Sequence, residues 1–284
     1  MGRSVEARLV RLADRGAVMA RLARSPERNL FLLDIAGRLG LPPPAGELRS
    51  EVAAAWLGDE VIGVAALRPS VVLDADATPE AIDALLPYLD ALGVGLIKSA
   101  RPGVDYAWSA LRRRGRRRAL LDRLETAYAL RPAGARLGAA GTPRSRPAVV
   151  EDLDALVVAA RASLREEDRP DPFAGDVRSF RRWVRGRVPR ARVVECDGRV
   201  VFVAYADVQR PEGWLIQGVY TWPEFRRRGF AAAGVSDLCR EAFAAGASHV
   251  QLAVVEGNVA GRGLYAGLGF EPFGELHTIL FAQA

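Results

Sequence analysis

The chain has 284 residues, half of them hydrophobic and about a quarter charged, a balance that supplies a core and excludes a disordered, collagen-like or disulfide-stapled protein. The formal net charge is +6, but Lys98 is the single lysine among 40 basic residues, and the run 112–118 (RRRGRRR) alone contributes six arginines. Such an excess reflects a preference for arginine, so nucleic acid is not an expected partner and the run Arg112–Arg118 reads as a solvated helix end or a phosphate-facing cluster. The longest uncharged stretch, Ala242–Val255, falls short of the roughly 18 residues a membrane helix needs, so no membrane span is expected. Arg3, Glu6, Arg8 and Arg11 interrupt the start, so a secretory signal is not expected either. Cys196 and Cys239 fit no metal or disulfide spacing; they read as reduced thiols, which points to a cytoplasmic protein without a metal. At roughly 150 residues per domain, the length predicts two domains.

In chain order, Ala53–Leu57 and Val61–Leu67 flank Gly58-Asp59-Glu60 and predict a hairpin, followed by a strand over Ser70–Asp74. A helix over Pro79–Leu92, a strand over Val94–Ile97, a helix over Tyr106–Arg114 and a strand over Glu125–Leu130 complete a first domain, 1–130. The stretch 131–147 is rich in Pro, Gly and small residues and reads as a linker, with the linker proper at 131–144. The second domain, 145–284, opens with apolar spacing at Leu153, Leu156, Val157 and Ala160, which predicts a helix over Glu151–Arg165; a basic helix over Val177–Val188 follows. Val193–Glu195 and Val200–Ala206 around Asp197-Gly198 predict a second hairpin. Then come a strand (Trp214–Thr221), a helix (Ala231–Ala245), a strand (His249–Val255), a helix (Val259–Leu268) and a strand pair ending at Phe281. The two hairpins align, GDEVIGVAA over DGRVVFVAY, so the order is a duplication and the fold class is α+β: two domains, each a mixed, mostly antiparallel sheet with flanking helices, about six strands in the second.

Arg226-Arg227-Arg228-Gly229-Phe230-Ala231 lies between a predicted strand and a predicted helix. A helix start has unpaired N–H groups and partial positive charge, Gly229 lets backbone approach an anion, Ala231 limits crowding, and the arginines add charge. The turn therefore reads as a phosphate cradle. The first copy, LDADATPEAIDALLP, has no glycine-bearing basic turn at this place.

The pattern R-x-x-G-x-A, followed by Asn258, Tyr265, Leu268, Gly269 and Phe270 as N-x6-Y-x-x-L-G-F, resembles the GNAT N-acetyltransferases over residues 145–281. The segment Arg165–Asp168 with Asp171-Pro172-Phe173 is similar to a bacterial subgroup of tandem type, whose N-terminal domain is a divergent copy. The resemblance implies an acetyl-CoA-dependent N-acetyltransferase, acting on a primary amine of a small molecule or peptide by direct transfer in a ternary complex. It implies that Trp214–Thr221 and His249–Val255 splay, that the pantetheine arm enters between them, and that Gly218, Val219, Tyr220 and Thr221 line it. Arg226, Arg227, Arg228, Gly229, Phe230 and Ala231 would hold the pyrophosphate, and Asn258 the arm. Tyr265 would protonate the departing thiolate, against the alternative of a core aromatic. The strand 214–221 has no acid, with only Gln217 and Tyr220 strongly polar, so the base candidates are Glu166 and Glu167, with Asp168 beside them, against a solvated charge run. His249 and His277 read as structural. Leu264, Leu268 and Phe270 read as core. The partners expected are acetyl-CoA and an amine acceptor, with a homodimer left open; the alternative function is a non-catalytic acyl-CoA-binding regulatory protein.

Overall fold

The computed structural model describes residues 4–43, 48–115, 117–138 and 144–283; Arg116 of the arginine run and 139–143 of the linker lie outside them. The elements run β1 (Val5–Leu9), α1 (Arg15–Leu22), α2 (Leu30–Gly37), β2 (Glu51–Leu57), β3 (Glu60–Arg68), β4 (Val72–Leu73), α3 (Pro79–Asp90), β5 (Val94–Ala100), α4 (Arg101–Arg114) and β6 (Arg117–Leu130). They continue with β7 (Ser145–Pro147), α5 (Leu153–Glu166), α6 (Val177–Arg187), β8 (Ala191–Cys196), β9 (Arg199–Arg210), β10 (Gly213–Thr221), α7 (Phe230–Ala244), β11 (Val250–Val255), α8 (Val259–Gly267) and β12 (Glu271–Gln283). This is a mixed α/β architecture with mostly antiparallel sheets between helices.

The chain divides into two compact units. Unit 1 gathers the described residues of Met1–Pro43, Leu48–Ala127 and Gly274–Ala284; unit 2 contains Tyr128–Phe273. In unit 1 the sheet β1-β2-β3-β4 packs Val18, Leu22 and Leu33 on one face and Ile82, Leu85 and Val104 on the other. The division by sequence differs at the C-terminus, which it assigns whole to the second domain. Residues 276–282 of β12 pair antiparallel with β5, Leu276 opposite Ala100 and Ala282 opposite Val94, and Ile279 and Phe281 are fully buried in the core of unit 1. Apolar burial outweighs chain proximity here. The expected strand pair ending at Phe281 is one continuous strand, because Gly274 keeps an extended backbone and no turn forms.

Unit 2 holds the order β11-β10-β9-β8-β7, with the last residues of β6 and the first of β12. These are five whole strands, where about six were expected. The hairpin β8–β9 turns at Asp197 (φ 51°) and Gly198 (φ 73°), the left-handed pair that a tight two-residue hairpin requires. One face of the sheet packs α7 and α8 through Val235, Leu238, Leu252, Tyr265 and Phe270. The other packs α5 and α6 through Leu156, Phe180, Val184, Tyr205 and Tyr220. Within the linker, Ala135 and Leu137 pack on the first of these cores, and the Arg136 N–H donates to the Leu268 carbonyl at 3.0 Å.

Candidate functional site

Two local irregularities build the site, and both follow from glycines. Strand β10 pairs with β9 until Gln217 meets Tyr205; pairing resumes at Tyr220 opposite Val203. Gly218 and Val219 are thus two residues against one, a bulge. Gly218 sits at φ 59°, and a Cβ there would lie 2.8 Å from the Tyr205 ring, so only glycine fits. On its other edge β10 runs parallel to β11 but pairs at two positions, Trp214 with Val250 and Leu215 with Gln251. From Ile216 onward β10 keeps β9 and leaves β11. That opens a gap bordered by backbone of the bulge.

The chain then makes a single 3-10 turn (Pro223–Phe225) and enters α7 through Gly229 at φ 84°. No side chain caps α7, and a Cβ at Gly229 would meet nothing within 4 Å. The first N–H groups of the helix therefore face an open approach, with the positive end of its dipole behind them. Arg227 and Arg228 make no ion pair or hydrogen bond among the described residues, and Arg228 lies 5.3 Å over both Phe225 and Phe230. Arg227 takes a left-handed φ of 61°, which is strained for a non-glycine residue. Phe230 is buried as the anchor of the helix start, and Ala231 is half-buried beside it.

The predicted acidic segment meets the loop. Arg226 directs Nη2 at both oxygens of Glu166, at 2.7 Å each, while its Nε donates to the Thr221 carbonyl at 3.0 Å. The Tyr220 hydroxyl donates to Glu166 Oε1 at 3.1 Å. Burial, then Glu166, raises the Tyr220 pKa, so the phenol stays protonated. Glu167 pairs with Arg169 at 3.6 Å, and Asp168 takes a left-handed φ of 50° where the chain leaves α5. Of the acidic run, Glu166 alone joins Tyr220 and Arg226. The sequence carries no signal for this junction, whose members are 54 and 60 residues apart.

Asn258 caps α8, accepting the Gly261 N–H at 2.8 Å; that leaves its amide hydrogens for other partners. Tyr265 is 8 % exposed, packs edge-on to Phe270 at 5.6 Å, and has a phenol pKa raised by burial, with Cys239 second. Its hydroxyl has no hydrogen-bond partner among the described residues. His249 is buried against Gln251 at 3.0 Å, and a Cβ at Gly213 would collide with its ring. His277 lies between Asp105 (2.6 Å) and Asp122 (2.8 Å). Both histidines are satisfied by their neighbours. Cys196 and Cys239 are unpaired, and burial pushes the Cys239 thiol up to about 12. Among the described residues no helix is long and apolar enough to cross a membrane, and no group of His, Cys, Asp or Glu is placed to hold a metal ion.

The matching place in unit 1 is closed by its own backbone carbonyls and side chains. Strand β4 is only two residues long, and Ser99 Oγ accepts the Leu73 N–H at 2.6 Å while lying 3.2 Å from the Leu73 carbonyl. The N–H groups that follow are taken by Val64 (from Asp74), Asn29 (from Ala75) and Asp74 (from Asp76 and Ala77). At the start of α3, Thr78 caps Ala81, Pro79 has no N–H, and Glu80 puts a carboxylate in the first turn. The Glu80 pKa is lowered by its own backbone N–H and by Thr78. The start of α3 thus carries its own anion.

Residues 157–270 match the family model described as Acetyltransferase (GNAT) family. A Drosophila protein of known structure covers 96% of this chain, and is covered over 98% of its own, at 14% identity and a TM-score of 0.71. A GCN5-related N-acetyltransferase from Sphaerobacter thermophilus gives 17% identity and a TM-score of 0.62, with 97% and 95% covered. A tandem GNAT protein from the clavulanic acid biosynthesis pathway gives 15% identity and a TM-score of 0.53, with 97% of each chain covered. No curated protein matches the sequence. At these identities the solved structures share the fold.

Proposed function

We propose, from a chain whose residues 157–270 form a GNAT acetyltransferase-family domain, that the protein transfers the acetyl group of acetyl-CoA to a primary amine of a small molecule or peptide. One observation carries this reading: a β10–β11 pair that parts after two residues leads into a helix start with no side-chain cap and two unpaired arginines beside it. The pyrophosphate of acetyl-CoA suits that start, where N–H groups and dipole favour an anion. The N–H groups from Arg227 to Ala231 would hold it, with the Arg227 and Arg228 side chains adding charge. The pantetheine arm lies in the gap against Gly218, Val219, Tyr220 and Thr221, with the free amide of Asn258 toward it. A backbone N–H of the bulge at Val219 stabilises the oxyanion that develops on the thioester.

The chemistry assigned to side chains is proton transfer. Tyr265 gives its proton to the sulfur as the C–S bond breaks; burial keeps its phenol protonated until then. The base that relieves the amine of its proton is the carboxylate of Glu166 or Glu167, at the end of α5. Direct attack in a ternary complex follows from a site that holds donor and acceptor side by side. The reading places the protein in the cytoplasm, where Cys196 and Cys239 stay reduced.

The test is release of free thiol from acetyl-CoA in a panel of amino acids, polyamines, aminosugars and peptides with free N-termini. Turnover with one class identifies the acceptor. Tight acetyl-CoA binding without turnover on any amine contradicts the transferase and leaves an acyl-CoA-binding protein.

A further inference from the structure

We propose that Tyr220 carries the acceptor's proton, passing it to Glu166 as the amine attacks. The inference rests on the transferase reading above and assigns the proton path of that same site. Val219 and Tyr220 leave the bulge on opposite faces of the sheet. Val219 packs toward α7 and α8, and Tyr220 toward α5 and α6. The Tyr220 side chain therefore stands one residue from the N–H assigned to the thioester oxygen, on the face roofed by α5 and α6. The ring is 7 % exposed and is held edge-on by Trp222 at 5.4 Å. Its hydroxyl points at Glu166, whose carboxylate is fixed by the Arg226 fork, and Arg226 is fixed in turn by the Thr221 carbonyl.

A neutral phenol can take a proton on oxygen only as it loses its own, so a carboxylate must stand behind it. Glu166 is that carboxylate. Its side chain is 44% exposed, so the proton it receives passes on to water. In the step proposed, one N–H bond of the bound ammonium breaks toward the Tyr220 oxygen while the Tyr220 proton moves to Glu166 Oε1, and the electron pair freed on nitrogen forms the bond to the thioester carbon. The C–S bond breaks with its electron pair on sulfur, which Tyr265 protonates; the second proton of the now acidic nitrogen leaves to water, and water returns a proton to Tyr265. No oxidant, reductant or metal enters the balance.

The experiment uses the full chain, acetyl-CoA, the best alkylamine of the panel, and hydroxylamine, a nucleophile already unprotonated at neutral pH. Tyr220→Phe keeps the ring against Trp222 and removes the relay. At neutral pH it should lower kcat/KM for the alkylamine about 10²-fold, with a much smaller loss for hydroxylamine. The alkylamine deficit should shrink as pH rises, because the amine then deprotonates itself. Glu166→Gln should show the same pattern, and the double variant should be no slower than either single one. Acetyl-CoA affinity and melting temperature should be unchanged in Tyr220→Phe. Equal losses for both nucleophiles that stay flat with pH, or full activity in Tyr220→Phe, would overturn the relay and leave the transferase standing. Bound acetyl-CoA with no turnover on any amine would overturn both.

Discussion

Single atoms separate the competing roles at this site. Both readings of Tyr265 need its ring, which packs on Phe270, and only the hydroxyl distinguishes them. As general acid, Tyr265→Phe should lose roughly 10²- to 10⁴-fold in maximal rate with acetyl-CoA affinity unchanged. As a core aromatic it should keep its rate, and only Tyr265→Ala should suffer, by about 3–5 kcal/mol of stability. Turnover at saturating acetyl-CoA with melting curves alongside decides between them. Gly218 is a second residue-scale test. Gly218→Ala places a methyl against Tyr205 at a left-handed φ and should cost about 1–3 kcal/mol in chemical denaturation. Asn258 can be split in the same way: Asn258→Asp keeps an N-cap acceptor for Gly261 but removes the amide donor. Stability should hold while acetyl-CoA affinity falls; unchanged affinity would reduce Asn258 to a cap.

At the scale of elements, the strand, turn and helix around Gly229 were legible because their signals are local. Strand, basic glycine turn and helix follow one another within 32 residues of sequence, and the helix does begin at Phe230. The hairpin at Asp197-Gly198 was legible for the same reason. Other features depend on partners distant in sequence. Strand β4 was expected over Ser70–Asp74, yet Ser99, 26 residues on, satisfies Leu73 and leaves two residues of strand. Nor does composition show that Glu166 meets Tyr220 and Arg226. Helices α1 and α2 went unread; α2 is an almost unbroken apolar run, LFLLDIAG, whose period cannot separate a buried helix from a strand. The β5–β6–β12 group makes one prediction of its own. Burial pushes the Glu125 carboxyl up, but the Lys98 charge, with hydrogen bonds from Lys98 and Thr278, prevails and brings it to about 2. A carboxylate with a depressed pKa stabilises the fold above its unfolded value, near 4.5, and that contribution is lost as pH falls toward about 2. Lys98→Met removes the nearer of two counter-charges, at 2.5 Å, and leaves Arg123 at 3.4 Å, so stability at neutral pH should fall by about 1–3 kcal/mol. Loss of stability on acidification should then be shallower than in the wild type; identical acid limbs would show that the pair contributes nothing.

For the whole molecule, the duplication was legible and the ownership of its last strand was not. Sequence order places 274–284 with the second copy, whereas Ile279 and Phe281 complete the core of unit 1. Deleting 274–284 should therefore accelerate hydrogen exchange throughout β5, whose register partners run from Leu276 to Ala282. Protected β5 amides in the truncated chain would refute that assignment. The two copies also divide the labour. Unit 2 has a helix start without a side-chain cap, whereas unit 1 closes its own with Thr78, Pro79 and Glu80.

Calorimetric titration of the intact chain with acetyl-CoA tests this most directly. The account predicts one site per chain, abolished by Gly229→Asp, which sets a carboxylate in the cradle, and largely kept by Gly229→Asn, which tolerates the left-handed φ without the charge. Two equivalent sites, or normal binding by the Asp variant, would contradict it.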